Sequence, residues 1–171
     1  LSEEALGRIL DRALTDQQVG LGELKARVTA GARQRLIAIG NGVDASRFMP
    51  RSPGERQAIR RSLGIPGDAK VVGIVGRMVQ EKGYPEFLQA AVTLARQYTD
   101  AYFLLVGSRL TSDHSDSIEN DLLTAREILG KKLITTGFRS DTPDLIGAMD
   151  VFCLPSHREG MPRTIIEAMM M

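Results

Sequence analysis

Short apolar segments alternate with helical segments along this chain from residue 70 onward, and this alternation limits the fold more than any other feature. The apolar segments have the length of buried strands, whereas apolar residues between them recur at helical spacing. Strands separated by helices form a parallel sheet with helices on both faces. The sequence therefore predicts an α/β, Rossmann-like domain with strands at residues 71–75, 102–106, 133–136 and 151–154 and helices starting at Pro85, at residue 117, at Pro143 and at Pro162.

The connectivity of such a sheet also predicts where a ligand would bind. With the usual strand order 3-2-1-4, ligands bind outside the carboxyl ends of the first and fourth strands, where the strand order reverses. The first predicted strand ends at Gly76-Arg77, and the fourth ends just before a polar loop that contains Glu159 and Gly160. We therefore expect these two loops to face one crevice.

The part of the chain before residue 70 has a less regular pattern. We expect helices over residues 1–14, with Ser2 as the N-cap, and over residues 23–28, followed by a short strand at residues 36–39. Residues 48–53 are rich in Pro, Ser and Arg, which indicates a linker or domain edge, and a short helix should cover residues 55–63.

Length and composition exclude several classes of protein. A chain of 171 residues is long enough for one domain and too short for two full ones. The net charge of +1 gives no indication of a nucleic-acid partner, and we expect none. The longest apolar runs are shorter than the ~20 residues that a membrane span requires, and no signal peptide is visible. The single cysteine, Cys153, can form no internal disulfide and is expected to be a small buried side chain, which favours a reducing, cytoplasmic location.

The loop after the first strand offers two cations, Arg77 and Lys82. A guanidinium can bind two phosphate oxygens in fixed geometry, whereas an ammonium acts as a mobile point charge. Five positions apart around a turn, both could contact one diphosphate. The alternative is that both are solvated surface charges, with Lys82 paired to Glu81.

The last loop and helix offer two carboxylates, Glu159 and Glu167. The helix start has free N–H groups that attract anions, and Glu167 lies farther along the helix. A phosphate at the helix start with a carboxylate beyond it suits a nucleotide sugar. Alternatively, both glutamates form surface ion pairs with Arg158 and Arg163. They are not interpreted as the acid and base of a glycoside hydrolase, because those must both face one scissile bond.

Other patterns argue against a cofactor or a metal. Gly73 and Gly76 do not form a GxGxxG sequence, and Gly107 follows the second strand where a dinucleotide-binding fold has an acidic residue. A nicotinamide or flavin enzyme is therefore rejected. His114 and His157 are far apart in the sequence, so a metal site is not expected. Asp113 and Asp116, on either side of His114, are expected to lie in a solvated loop, and His157 is expected to be exposed.

Several of these segments together resemble one enzyme family. The segments GIVGRMVQEKG, LLVG, GFRSDTPDLIGAMDVFCLPSHREGMPRTIIEAM and IGNGVD resemble the donor-binding C-terminal half of the retaining family-four (group 1) glycosyltransferases, which have the GT-B fold. The resemblance covers about residues 18–171. Its most specific part is the pair Glu159 and Glu167 with seven residues between them, together with Arg77 and Lys82.

The resemblance implies a role for each residue of the site. Arg77 and Lys82 would neutralise the diphosphate of the donor, which is the leaving group, without a metal ion or other cofactor. Glu159 would contact the transferred sugar, and Glu167 would bind the ribose hydroxyls. The remaining donor-binding residues implied are Gly76, the residues Phe138 and Arg139, which with Gly137 form a turn near the nucleobase, and Gly160 and Met161 near the sugar or phosphate.

The resemblance also implies the organisation of the chain. Residues 1–47 would be the tail of the acceptor-side domain and a linker, and residues 48–171 would be the donor-binding domain, incomplete at its C-terminal end. Gly22 stands where the family usually has a serine. The chain begins with Leu1 and stops inside the helix of Glu167, so we expect a fragment that binds donor weakly and transfers no sugar on its own.

The implied substrates are a UDP- or GDP-sugar donor and a glycan or lipid-linked acceptor. The implied location is the cytoplasm, including peripheral association with the cytoplasmic face of the inner membrane through an N-terminal half outside this chain. Two alternatives keep the same fold. One is a sugar-nucleotide epimerase or a phosphorylase, and the other is a non-catalytic nucleotide-binding module.

Overall fold

Four parallel strands form the sheet in the order β3-β2-β1-β4, which confirms the predicted strand order. A computed structural model describes residues 42–111, 113 and 117–171, and these belong to one compact unit. In chain order the elements are α1 (Pro53–Ser62), β1 (Lys70–Val75), a 3-10 turn (Gln80–Lys82), α2 (Tyr84–Gln97), β2 (Ala101–Val106), α3 (Glu119–Leu129), a second 3-10 turn (Gly130–Lys132), β3 (Leu133–Thr135), α4 (Thr142–Gly147), β4 (Val151–Phe152) and α5 (Arg163–Met169).

The sheet has a separate hydrophobic core on each face, as the near-continuous apolar character of β1 and β2 predicts. Alternate residues along a strand face opposite sides. In β2, Phe103 and Leu105 therefore pack under α2 and α3, whereas Leu104 and Val106 pack under α4. All four side chains are buried. The predicted Rossmann-like architecture, with helices on both faces of a parallel sheet, is confirmed.

Helix α2 packs on the first face through the residues that the helical spacing predicted, including Phe87, Leu88 and Ala91, all buried. The ring of Phe87 meets that of Phe103 edge to face, with centroids 6.4 Å apart. The helix begins at Tyr84, one residue before the predicted start at Pro85. Proline is well tolerated there because the first turn leaves its backbone N–H groups unpaired in any case.

Helix α1 begins inside the stretch that was interpreted as a linker. Ser52 caps the helix by accepting a hydrogen bond from the Glu55 N–H, while the Glu55 carboxylate accepts one from the Ser52 N–H, a complete capping box. Pro53 is the first helical residue, and Phe48 is buried in the core of the second face. The Pro- and Ser-rich composition therefore reflects a helix start.

A buried arginine joins α1 to the start of β4. The Arg60 guanidinium donates to the carbonyl oxygens of Ala148 at 2.9 Å, Gly67 at 3.1 Å and Ala69 at 3.0 Å, and to the Asp150 carboxylate at 2.8 Å. Burial raises the pKa of Asp150, but its hydrogen bond from the Val71 N–H and the charge of Arg60 outweigh this, so the pKa lies below its ordinary value. Nothing in the spacing of the sequence predicted this network.

The C-terminal elements are shorter than predicted. Strand β4 covers Val151–Phe152 instead of residues 151–154, because its parallel register with β1 pairs those two residues. Helix α5 begins at Arg163, not at Pro162, whose ψ of 91° is still extended. No helix within the described ranges is long and apolar enough to cross a membrane.

The helices predicted over residues 1–14 and 23–28, the strand at residues 36–39 and the Gly22 position lie outside the described residues. The predicted division of the chain at residues 47 and 48 stays a prediction.

Candidate functional site

The loops that follow β1 and β4 lie directly against each other, as the connectivity predicted. The backbone N–H of His157, in the loop after β4, donates to the Glu81 carbonyl oxygen at 3.0 Å in the loop after β1. Gly83 has a φ of 75°, and a Cβ built on it would lie 2.0 Å from the Pro155 carbonyl oxygen. Only a residue without a side chain permits this approach. The two loops therefore form one wall of the candidate site.

An ion pair joins these loops through two of the predicted site residues. The Lys82 ammonium lies 2.7 Å from a Glu159 carboxylate oxygen, and their side chains are 18% and 24% exposed. Burial raises the pKa of Glu159, but the hydrogen bond from Lys82 and the charges of Lys82 and Arg77 lower it by more than burial raises it, so the pKa lies below its ordinary value and the carboxylate is ionised at neutral pH. The alternative pairing of Lys82 with Glu81 is therefore wrong.

Arg77 binds two carboxylates. Its Nη1 contacts Asp113 Oδ1, and its Nη2 lies 3.1 Å from Glu81 Oε1. The Asp113 side chain is 1% exposed, so the prediction that Asp113 lies in a solvated loop is wrong. The hydrogen bond from the Leu110 N–H, followed by that from Arg77, holds the pKa of Asp113 below its ordinary value despite burial.

A small apolar cavity of about 200 Å³ lies beside Arg77, at the carboxyl ends of β1 and β2. Four of the predicted donor-binding residues line it: Gly76, Arg77, Phe138 and Arg139. Phe138 is 81% exposed although it is aromatic, and the Arg139 guanidinium binds Asp141 next to it. An exposed aromatic ring beside an apolar cavity can stack on a flat ligand group such as a nucleobase.

Backbone contacts set the shape of this cavity. The Tyr84 hydroxyl, at the start of α2, donates to the Gly76 carbonyl oxygen at 2.9 Å, and burial raises the pKa of Tyr84. Gly107 has a φ of 138°, and a Cβ there would lie 1.9 Å from the same carbonyl oxygen. The end of β1 is thus held from two sides. Tyr84 could not be identified from the sequence, because a buried tyrosine at a helix start has no distinct pattern.

Within the described part of the chain, three predicted residues neither belong to the Lys82–Glu159 pair nor line the cavity. Gly160 is exposed, and Met161 is 49% exposed. The Glu167 side chain is 12% exposed and lies 4.0 Å from the Arg163 guanidinium on the same helix, which is one of the two surface pairings considered for the glutamates. The structure therefore pairs Lys82 with Glu159 and places Gly76, Arg77, Phe138 and Arg139 around the cavity, and the charge of Arg77 also acts on Glu159.

Two other residues singled out in the sequence, Cys153 and His157, lie at the end of β4 and in the loop that follows it. His157 is exposed, as expected, and its Nε2 lies 2.7 Å from the Glu86 carboxylate on α2. Cys153 is half-buried instead of fully buried, and burial raises the pKa of its thiol. His114 and Asp116 lie outside the described residues.

A larger cleft, about 450 Å³, lies elsewhere, between α2 and α3. It is lined by Glu86, Arg96, Asp121 and their helical neighbours and contains none of the predicted site residues. We place the candidate site at the smaller cavity. There the carboxyl ends of β1 and β2 meet two cations, Arg77 and Arg139, and the exposed ring of Phe138.

Comparison with known proteins identifies relatives of this chain. A relative from Escherichia coli, UDP-Gal:alpha-D-GlcNAc-diphosphoundecaprenol alpha-1,3-galactosyltransferase, is 33% identical over 137 residues, which cover 78% of this chain and 34% of that protein. The chain spans about a third of the length of the first curated relatives it matches.

Solved structures agree with the fold. Anabaena HepE in complex with UDP-glucose is 29% identical, with a TM-score of 0.67 over 81% of this chain and 37% of that chain. The C-terminal domain of a group 1 family glycosyl transferase from Francisella tularensis is 31% identical, with a TM-score of 0.65 over 75% of this chain and 66% of that one. The family model "Glycosyl transferases group 1" matches residues 55–171. This chain is therefore a member of the group 1 glycosyltransferase family.

Proposed function

We propose that this chain is the donor-binding part of a retaining glycosyltransferase that takes a sugar from a nucleotide-diphosphate donor and transfers it to a glycan or lipid-linked acceptor. The observation that supports this most is the position of Arg77 and Lys82, both at the carboxyl end of β1 and both held by carboxylates. The structure of HepE with UDP-glucose shows that a relative of similar fold binds such a donor.

The chemistry of the proposal depends on charge. When the sugar is transferred, the bond between its anomeric carbon and the diphosphate oxygen breaks and the nucleoside diphosphate leaves as an anion, so the transition state gains negative charge on the departing oxygen. Fixed cations next to that charge lower the barrier, since they are already oriented before the reaction. A guanidinium from Arg77 and an ammonium from Lys82 would supply this stabilisation, so the proposal requires no metal ion.

The Lys82–Glu159 pair suggests an order of events. Glu159 neutralises Lys82 at 2.7 Å. A diphosphate would compete for the ammonium and leave the Glu159 carboxylate available to hydrogen-bond the hydroxyls of the transferred sugar. Glu167 would bind the ribose, and Phe138 would lie against the base. Under this proposal the two ends of the donor occupy the crevice and the apolar cavity, with Arg77 between them.

Arg77→Ala should abolish the stabilisation of this chain by its nucleotide. A nucleotide at 100 times its dissociation constant adds about 2.7 kcal/mol to the free energy of unfolding, which corresponds to roughly 5–10 °C for a chain of this size. The loss of charged hydrogen bonds to phosphate weakens binding by about 1.5–3 kcal/mol each. Thermal unfolding with UDP, GDP, ADP and their sugars measures the effect.

Arg96→Ala is the matched control, because Arg96 is an exposed arginine that lines the larger cleft between α2 and α3. Its thermal shift should equal that of the unchanged chain. A shift lost in Arg96→Ala and kept in Arg77→Ala would move the nucleotide to the larger cleft and contradict the proposal.

The 171-residue chain should bind a nucleotide sugar without turning it over, because it spans about a third of its relatives and the proposal assigns acceptor binding to the rest of the protein. Chromatographic analysis of the donor after incubation, with and without glycan acceptors, measures this. Release of nucleoside diphosphate with formation of a glycoside would contradict the expectation. An isomerised donor sugar would instead indicate an epimerase, and phosphate-dependent sugar release a phosphorylase.

A further inference from the structure

The two carboxylates that bind Arg77 differ in their exposure to solvent. What we infer from this difference rests on the proposed function. The Asp113 side chain is 1% exposed, whereas that of Glu81 is 37% exposed and that of Arg77 is 45% exposed. A ligand that reaches the guanidinium from solvent therefore meets the Glu81 side of the cluster, and Asp113 lies on the protein side.

Asp113 is itself held in place. Its Oδ2 accepts a hydrogen bond from the Leu110 N–H at 2.8 Å, and its own N–H donates to the Leu110 carbonyl oxygen at 3.1 Å. Its Oδ1 accepts from Arg77. Both carboxylate oxygens are thus used, one to close the turn and one to hold the guanidinium. Glu81, by contrast, is four residues from Arg77 on an exposed surface, where ion pairs are weak.

The loop that contains Asp113 is also tied to the loop of Arg77. The Met78 N–H donates to the Ser108 carbonyl oxygen at 3.2 Å, and the Gly76 N–H donates to that of Val106 at 3.0 Å. The two donors, Gly76 and Met78, are the residues immediately before and after Arg77. The position of Asp113 relative to the Arg77 backbone is therefore set by backbone hydrogen bonds, so the carboxylate can orient the guanidinium.

We propose that Asp113 is the positioning residue of Arg77: it holds one edge of the guanidinium through Nη1, while Glu81 gives way to the donor diphosphate at the other edge. A guanidinium has five N–H groups, so it can keep the bond to Asp113 and still bind phosphate oxygens in a bidentate manner. Without Asp113 the long, flexible side chain would have to be ordered when the ligand binds, and affinity would fall.

The test compares two substitutions that each remove one negative charge from the same guanidinium. Asp113→Asn should weaken binding of the nucleoside diphosphate that the unchanged chain binds by about tenfold, within the range of coupling between contacting residues. Glu81→Gln should leave binding unchanged or strengthen it by about two- to threefold, because an exposed competitor is removed. Isothermal titration calorimetry with UDP, GDP and ADP measures both, and circular dichroism checks the fold.

A double-mutant cycle separates positioning from a merely structural role. In an Arg77→Ala background, titrated at nucleotide concentrations high enough to measure its weaker affinity, Asp113→Asn should change the affinity by less than about twofold, because its effect acts through the guanidinium. An equal loss in both backgrounds, or full affinity in Asp113→Asn alone, overturns the assignment and leaves the proposed function intact. Failure of the unchanged chain to bind any of the three nucleotides overturns both.

If Asp113→Asn does not fold, the positioning role of Asp113 is tested on the unchanged chain. A guanidinium held through Nη1 rotates slowly about its Cζ–Nη1 bond, which 15N NMR of arginine side chains detects. A slowly rotating Arg77 signal that persists after addition of the nucleotide supports the assignment. Free rotation of the Arg77 group in the nucleotide complex overturns it.

Discussion

Gly83→Ala is expected to destabilise the domain and to separate the two loops of the candidate site. Alanine has to adopt the left-handed φ of 75°, and its Cβ would meet the Pro155 carbonyl oxygen at 2.0 Å. The clash involves backbone, so the loop after β4 has to move by more than 1 Å to reach an ordinary contact. The backbone strain costs about 1–3 kcal/mol, and an overpacked contact adds a similar amount. Urea unfolding measures the sum.

The same displacement should weaken the bonds that cross the crevice. The His157 to Glu81 backbone bond at 3.0 Å and the Lys82–Glu159 pair at 2.7 Å both join the loops that the methyl group would push apart. We therefore expect Gly83→Ala to lose the nucleotide-induced thermal shift as well.

Gly64→Ala is the matched control. Gly64 has a φ of 71°, close to that of Gly83, but a Cβ there meets no atom within 4 Å. It should show the backbone cost alone, about 1–3 kcal/mol, and the same nucleotide-induced thermal shift as the unchanged chain. Equal behaviour of the two alanine variants would show that the approach of Gly83 to Pro155 does not support the site.

Arg60→Met is expected to destabilise the domain, because it removes a buried guanidinium. Arg60 is 4% exposed and binds three carbonyl oxygens and the Asp150 carboxylate. Methionine fills the space of the aliphatic stem but leaves these acceptors without their donor. Removing one partner of a buried pair costs about 3–5 kcal/mol. We expect about 2–3 kcal/mol here, since Asp150 is 31% exposed and keeps Arg56 as a partner.

Arg61→Met provides the comparison, because Arg61 is the next residue on α1 and is exposed. It should change the free energy of unfolding by less than about 0.5 kcal/mol, as surface substitutions usually do. Both variants should keep the nucleotide-induced shift, since α1 lies away from the crevice. A loss of stability in Arg60→Met no greater than in Arg61→Met would contradict a structural role for the buried guanidinium.

The sheet could be predicted because buried parallel strands impose a pattern on every residue. Each strand of a sheet covered on both faces must be apolar throughout, and each crossover must supply an amphipathic helix. The strand order and the place of the crevice follow from connectivity. Element ends were less predictable. β4 stops at Phe152 and α5 starts at Arg163 because pairing with β1 and the extended ψ of Pro162 set these limits.

The partners of charged side chains could not be predicted in the same way. Local spacing suggested Lys82 with Glu81, whereas the structure pairs Lys82 with Glu159, 77 positions away. Asp113 was predicted to lie in a solvated loop because its neighbours in the sequence are polar, yet its side chain is buried against Arg77. Periodicity reports which face of an element is buried, and it carries no information about the distance between two loops.

The amino-acid sequence by itself determined the α/β class, the strand order and the end of the sheet where ligands bind, because those depend on periodic burial and chain connectivity. The tertiary structure decided which carboxylate holds each cation: Glu159 for Lys82 and Asp113 with Glu81 for Arg77. These pairings depend on the close approach of loops that are distant in the sequence, and electrostatic interactions fall off over a few ångströms, so no local pattern encodes them.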